Sequence, residues 1–422
     1  MGVGRRSTGQ VAMISGAVPG DKIEVNFEIT KGKGIAFGKL ISILVPSEHR
    51  IPHPCDHYSA GCRGSLFGAY DYTEGLTLKR NHLINALKRI GKLEEPVVNK
   101  ILPSPEKWNY RDRLEFQLQI ESDQLRIGFV SSDTVIPIKN CCLGVKSIQS
   151  SLQRMWEDIP QIKPNTQVED FRILLRDNGK GESIAILFTK TESQEHLDII
   201  RQLLKAGNFT GWEIRLVRNF DSRFFSSRLI DRFGDNSLHV EIGDNTIELQ
   251  PLAFTQSNRS ASGLLRRSVT DLIPDGGKLL DFYGGYGAFA LEYLQNKTGS
   301  AVVLESSKPV VTSGRKFVKS KRLPIRFLQI DLSKLARRDI PAGQYDSAIL
   351  DPPRNGLHKI VIDYLNTTGP RQVIYVSCHA AALARDLREL TGYIPDYFIP
   401  IDMFPNTSEL ETIAVLQRTD SE

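Results

Sequence analysis

No apolar run in this chain approaches the ~20 residues that a membrane-spanning helix needs. The start, Met1-Gly2-Val3-Gly4-Arg5-Arg6-Ser7, lacks the apolar core of a signal peptide. Both absences predict a cytoplasmic protein with no membrane partner. Cysteine is scarce and odd in number: Cys55, Cys62, Cys141, Cys142 and Cys378. Five thiols in a chain expected to be cytoplasmic argue against a disulfide framework. Internal repeats and low-complexity segments are also missing, which argues against a solenoid or a disordered scaffold. Net charge is only +5, a balance that by itself calls for no polyanionic partner.

What charge there is lies unevenly. Lys and Arg concentrate at Arg5-Arg6, at Lys31, Lys33 and Lys39, and from Lys79-Arg80 to Lys88, Arg89 and Lys92. A basic N-terminal quarter on a near-neutral remainder fits a phosphate-backbone partner. With 422 residues, 40% of them hydrophobic, two or three domains are expected. Residues 1–48 read as short strands (Gln10–Ile14, Lys22–Ile29, Gly34–Leu44) around a Pro19-Gly20-Asp21 turn. This is the pattern of a small β-barrel, here without the first of its five strands. Residues 49–250 begin with an irregular stretch carrying His53, Cys55, His57 and Cys62. A helix is expected from Tyr72 to Ile90, and then α+β alternation in which Leu114–Ile120 has a period of two. From residue 251 to 422 the pattern becomes regular βα, which predicts a doubly wound sheet.

The chemistry concentrates at strand ends, where ligands of open α/β sheets bind. Gln372–Val376 is an apolar run that ends in Ser377-Cys378-His379. Leu279-Leu280-Asp281 runs into Phe282-Tyr283-Gly284-Gly285-Tyr286-Gly287, and Ser300–Leu304 closes on Glu305, 24 residues after Asp281. A Gly-rich turn with a later strand-end acid suits a nucleoside ribose, although tight helix–strand packing uses such turns too. Gly285-x-Gly287 without a third glycine favours S-adenosylmethionine over a dinucleotide. Asp351-Pro352-Pro353-Arg354 ends a further strand. Amino-group methylation uses a similar motif followed by an aromatic residue, and Arg354 in that place disfavours it. Cys378 supplies what carbon methylation needs: thiolate addition at C6 of uracil makes C5 nucleophilic, and a base must later remove the C5 proton. Glu411 is the candidate base.

Taken together, these motifs resemble the RNA uracil-5-methyltransferase family, in its branch with an N-terminal TRAM domain that acts on 23S rRNA. Ala17–Asp21 is similar to the TRAM signature, and Trp108-Asn109-Tyr110-Arg111-Asp112-Arg113 to a central RNA-facing motif. Phe254-Thr255-Gln256-Ser257-Asn258, Asp351-Pro-Pro-Arg-x-Gly, Ser377-Cys378 and Asp402-Met-Phe-Pro405 with Glu411 complete the set. The resemblance implies an OB-like TRAM barrel, a central α+β RNA-binding region and a Rossmann-like methyltransferase region. It implies Cys378 as nucleophile and Glu411 as base. Gln256, Tyr283, Gly285, Glu305, Asp331 and Asp351 would line the S-adenosylmethionine site. RNA, expected to be 23S rRNA, is the partner, and no obligate protein partner is evident.

The departures from the family pattern matter. The family holds an iron–sulfur cluster with Cys-x5-Cys-Gly-Gly-Cys and a distant fourth Cys. Here Cys55, Cys62 and Cys141 match, with six residues between the first two, and Ser65 stands in the third ligand's place. A hydroxyl is a poorer ligand for iron than a thiolate, so either no cluster or a labile one on three thiolates is expected. His379 replaces an Asn, and Glu409 replaces a His, where it is expected to raise the pKa of Glu411. Alternatives stay open: tRNA as substrate, cytosine-5 chemistry (disfavoured by Pro352-Pro353), or an RNA-binding chaperone-like protein with decayed catalysis.

Overall fold

The computed structural model describes residues 2–6, 8–27, 34–121, 124–131, 134–159, 171–334, 340–341 and 343–419. Lys31, Lys33 and the Glu28–Ile29 end of the expected third strand lie outside them.

Four strands open the chain: β1 (Gly2–Arg5), β2 (Val11–Ile14), β3 (Lys22–Phe27) and β4 (Ala36–Val45). They form one sheet in the order β1-β2-β4-β3 around a small core of Ala12, Ile14 and Ala36. β1 escaped sequence reading because Gly2–Arg5 has no apolar alternation. The expected turn is built around Asp21. Its carboxylate accepts from the backbone N–H groups of Val18 (2.8 Å) and Ser47 (3.0 Å) and from Arg50 Nε (3.0 Å).

Helix α1 (Tyr72–Arg89) starts at Asp71, whose side chain accepts from Thr73 and Glu74 N–H, a cap worth about 1 kcal/mol. Its buried stripe, Gly75, Lys79, Leu83 and Leu87, repeats every four residues. A second sheet follows, from β5 (Arg113–Glu121), β6 (Gln124–Ser131), β7 (Thr134–Pro137), β8 (Phe171–Asp177), β9 (Ser183–Thr189), β10 (Gly211–Leu216) and β11 (Arg228–Gly234). Helices α2 (Lys146–Asp158) and α3 (Gln194–Ala206) share its core, and α4 (Arg223–Ser226) is a single turn before β11. The hairpin β12 (Leu238–Ile242) and β13 (Asn245–Leu249) buries its apolar side in the C-terminal core.

The third sheet holds β14 (Lys278–Phe282), β15 (Ser300–Glu305), β16 (Ile325–Gln329), β17 (Ser347–Leu350), β18 (Gln372–Ser377), β19 (Tyr393–Ile401) and β20 (Glu411–Arg418), in the order β16-β15-β14-β17-β18-β20-β19. Five helices alternate with these strands: α5 (Arg259–Thr270), α6 (Ala288–Asn296), α7 (Lys308–Lys321), α8 (Lys359–Thr368) and α9 (Ala380–Glu389). Period-two alternation sorts the strand residues onto two faces. Val303, Ile349, Ile374, Val376, Ile413 and Val415 enter one core, while Leu304, Leu350, Tyr375 and Ala414 enter the other.

The expected doubly wound sheet needs one addition. β20 runs antiparallel between β18 and β19. This closing hairpin lacks the helix that marks the other strands, so the βα rhythm could not announce it. On the outer side of β19, Val98 and Leu102 bridge to Phe398 and Ile401. Helix α1, expected within the central region, packs against α9.

Candidate active site

Strand order reverses between β14 and β17, where doubly wound sheets bind ligands at the carboxyl ends. Register decides which side chains meet there. Asp281 pairs with Val303 and Ile349, Ile349 with Ile374, and Ile374 with Val415. In-register neighbours project from the same face, as do residues two apart along a strand. One face therefore carries Asp281, Glu305, Asp351, Cys378 and Glu411. Ser377 pairs with Thr412 at the end of the antiparallel ladder of β18 and β20, and the next residues on the two chains, Cys378 and Glu411, lie near enough for the carboxylate's charge to act on the thiol.

This face is acidic, and two of its carboxyl groups are buried. Asp281 is fully buried, and neither of its carboxylate oxygens has a hydrogen-bonding partner among the described residues. Burial, then the charges of Asp351 and Glu305, push its pKa well up. Glu411, 2% exposed, is pushed well up by burial, then by Asp351, with Glu409 a smaller contribution and Arg354 opposing. The expectation about Glu409 thus has the right sign but not the leading cause. Glu409 is occupied by Arg354, 3.2 Å away. Burial raises half-buried Asp351 to about 7. Cys378, also half-buried, is raised to about 11 by burial, then by Glu411, and Arg354 pulls it back.

The cofactor side of the crevice is a tight turn. Tyr283 (φ +58°), Gly285 (φ +57°) and Gly287 (φ +83°) adopt left-handed backbone, and a Cβ on Gly285 would point into open space. The Glu305 carboxylate accepts from Gly285 N–H (3.1 Å) and Ser307 N–H (2.7 Å) and so fixes the turn. The Tyr283 hydroxyl lies 3.0 Å from His358 Nδ1 and accepts from His358 N–H at 3.2 Å, which ties the turn to the loop after Asp351. Asp331 sits just past β16, its carboxylate accepting from Ser333 N–H and Oγ and paired with Lys334 at 3.0 Å. Gln256 is half-buried in the loop before α5. In the same loop Asn258 is fully buried: it caps α5 and donates to Ser104 Oγ and the Met403 carbonyl, both at 3.1 Å. Unpartnered Asp281, strand-end Glu305 and open space at Gly285 fit a cationic nucleoside such as S-adenosylmethionine. Sequence reading passed over Asp281 and His358 as site residues; strand parity exposes Asp281, whereas nothing local marks His358.

Two basic residues of the supposed polyanion-binding run are engaged internally. Lys79 is 3% exposed and donates to Asp402 Oδ1 at 2.6 Å and to the Phe404 carbonyl at 3.0 Å. Arg80 donates to the carbonyls of Val98 and Asn99. Arg5, Arg6, Lys39, Lys88, Arg89 and Lys92 are exposed. In the motif from Trp108 to Arg113, Tyr110 and Asp112 are buried. Tyr110 donates to the Pro405 carbonyl at 3.0 Å, and Asp112 pairs with Arg259 at 3.1 Å.

The cysteine lobe departs from the implied ligand set. The Ser65 hydroxyl is 3.3 Å from His53 Nε2. A fourth thiol, Cys142, hydrogen-bonds to Cys55, whose pKa that contact lowers to about 5 with help from His57 Nδ1 3.6 Å away. Burial pushes Cys62 and Cys141 up instead. No three His, Cys, Asp or Glu side chains among the described residues converge to hold a metal ion. As arranged, the residues do not fit a four-thiolate cluster.

A mixed seven-stranded sheet in this order, with acidic strand ends around a Gly-rich turn, defines an S-adenosylmethionine-dependent methyltransferase. The family model described as tRNA (uracil-5-)-methyltransferase matches residues 71–419, and the chain belongs to that family of RNA methyltransferases. It is 28% identical over 432 residues to an "Uncharacterized RNA methyltransferase" of Thermotoga maritima, covering 99% of this chain and 96% of that one. It is 26% identical over 428 residues (98% and 94%) to the 23S rRNA (uracil(1939)-C(5))-methyltransferase RlmD of Legionella pneumophila. Among solved structures it is similar to the Pyrococcus abyssi tRNA (uracil-54, C5)-methyltransferase in complex with S-adenosyl-L-homocysteine. That match has a TM-score of 0.74 and 25% identity, covering 98% of this chain and 99% of that one. Among the described residues no helix is long and apolar enough to cross a membrane.

Proposed function

We propose that this enzyme methylates C5 of a uridine in 23S rRNA, with Cys378 as nucleophile and Glu411 as base. The observation that carries the reading is the ladder of β18 and β20, whose last pair, Ser377 with Thr412, leaves the thiol of Cys378 within electrostatic reach of the buried Glu411 carboxyl group. Cys378 must first lose its proton, a step that burial opposes and Arg354 favours. The thiolate adds to C6, and C5 takes the methyl group that S-adenosylmethionine supplies. Glu411 then accepts the C5 proton while the C6–sulfur bond breaks, its electron pair returning to Cys378. Gln256, Tyr283, Gly285, Glu305, Asp331 and Asp351 hold the cofactor. The uridine is splayed from its loop to reach the crevice.

The N-terminal sheet is read as an OB-like TRAM domain (residues 1–48) that supplies backbone contacts. Phe37, Lys39 and Ile41 alternate outward along β4, a basic and apolar strip suited to RNA. Residues 49–250 form the central RNA-binding region and 251–422 the methyltransferase region. Two substrates remain in competition, because one relative acts on 23S rRNA and another on tRNA. RNA carrying 5-fluorouridine cannot lose its C5 substituent as a proton, so the wild-type protein is expected to form an adduct stable to denaturing electrophoresis. Cys378→Ala is expected to form none. An adduct that persists in that variant would move the nucleophile elsewhere, and labelled methyl transfer into tRNA but not 23S rRNA would reassign the substrate.

A further inference from the structure

Asp281 and Asp351 lie at the carboxyl ends of β14 and β17, and Glu411 lies at the amino end of antiparallel β20, at the same edge and on one face of the sheet. The charged and titratable groups around them are Glu305 on β15, Tyr286 before α6, Arg354 in the loop after Asp351, Cys378 after β18 and Glu409 before β20. The cation bearing on both Cys378 and Glu411 is Arg354, which is 69% exposed and paired with Glu409. Asp281 has no exposure and, among the described residues, neither a hydrogen-bond donor nor a nearby counter-ion. A buried carboxylate left this way costs several kcal/mol if ionised, so it holds a proton or awaits a cation.

We propose that the positive charge on the methyl donor's sulfur sets how many protons Asp281, Asp351 and Glu411 hold together, so that methyl transfer itself makes Glu411 the stronger base. This rests on the cofactor and base assignments above. While the sulfonium is present, its charge favours ionised carboxylates and the cluster releases a proton. When the methyl–sulfur bond breaks and the C5–methyl bond forms, the sulfur keeps the electron pair and becomes neutral. The cluster then holds three acids with only the exposed Arg354 bearing on one of them, and its affinity for a proton rises. The C5 proton moves to Glu411, the C5–H pair restores the C5–C6 double bond, and Cys378 leaves as thiolate. The charge lost from sulfur thus reappears as a proton on the cluster. Burial raises the pKa values of all three groups, in agreement with this order of events. Asp351, already assigned to the cofactor site above, acts on Glu411 through its charge.

Proton exchange on ligand binding tests this without turnover. The full chain is titrated calorimetrically with S-adenosylmethionine and with S-adenosylhomocysteine, without RNA, near pH 7 in two buffers of different ionisation enthalpy. The two ligands share every titratable group, so the difference reports the sulfonium alone. The homocysteine ligand is expected to bind with the greater proton uptake, by up to about one proton. Asp351→Asn and Glu411→Gln are each expected to shrink that difference by at least half, and either variant suffices if the other misfolds. Equal proton exchange for the two ligands, or a difference unchanged in the variants, overturns the proposal while leaving the cofactor assignment intact. If neither ligand binds, both fall.

Discussion

Replacing Lys79 by Met should damage the enzyme far more than an ordinary lysine substitution. The ammonium lies between Asp402 Oδ1 (2.6 Å) and the Phe404 carbonyl (3.0 Å), with side-chain exposures of 3% for the lysine and 0% for the aspartate. Methionine keeps the stem but leaves the Asp402 carboxylate buried, its remaining side-chain partner being the Tyr72 hydroxyl at 2.8 Å. Breaking one side of such a pair costs about 3–5 kcal/mol. At 1.4 kcal/mol per tenfold, that speeds amide exchange in residues 402–410 by roughly a hundredfold to a few thousandfold if the segment opens locally. Because this segment leads into Glu411, the rate of methyl transfer should fall with it. Lys79→Met combined with Asp402→Asn removes both charges and keeps the Tyr72 contact, so stability should return to within about 1 kcal/mol of wild type. Hydrogen exchange with mass spectrometry and denaturant titration read both effects. A single variant within about 1 kcal/mol of wild type, or a double variant as damaged as the single, would refute the reasoning.

Glu411→Gln should permit thiol addition and methyl transfer but block release, leaving protein covalently joined to methylated RNA; normal multiple turnover would point to Glu409 as base. The same change removes a negative charge that raises Cys378, so the Cys378 thiol should titrate below about 11. Its thiolate fraction at a given pH is then larger, and iodoacetamide alkylation, followed on the Cys378 peptide, should reach half-maximal rate at lower pH than in wild type; an unshifted or higher midpoint contradicts the assigned cause. Anaerobic purification with iron and sulfide analysis should yield either no cluster or a labile, oxygen-sensitive one. A stoichiometric, air-stable four-iron cluster would mean that Ser65 is no obstacle, and Ser65→Cys should then change nothing.

Cys378 and Glu305 could be read as strand-end residues because a βα pattern has strong punctuation: an apolar run, an abrupt polar residue, then a helix or turn. The Asp351-Pro352-Pro353 stop worked the same way, since proline cannot continue a ladder. Glu411 is legible from its motif, but its burial is not, because β19 and β20 join without a helix. Lys79 looked like a surface charge because its partner, Asp402, is 323 positions away in the chain. Four-residue spacing with Gly75, Leu83 and Leu87 was the available clue that it faces inward. The motif spacing points to Cys141 and not to Cys142, because it ranks positions in order, whereas sulfur contacts depend on how the lobe folds.

The pairing of residues 97–102 along β19 bears on modularity. Phe398 N–H donates to the Val97 carbonyl and Asn99 N–H to the Phe398 carbonyl, while Leu102 N–H reaches the Pro400 carbonyl. A fragment starting at residue 251 keeps every group named in the chemistry yet strips this cover from a nine-residue strand. Ile399 and Ile401 would then flank open backbone donors and acceptors, an invitation to edge-to-edge aggregation that Pro395 and Pro400 only partly blunt. The catalytic sheet is complete in strand order but not as a free-standing unit, and gene fusions or truncations that respect it must carry the strap from the first half of the chain along with them.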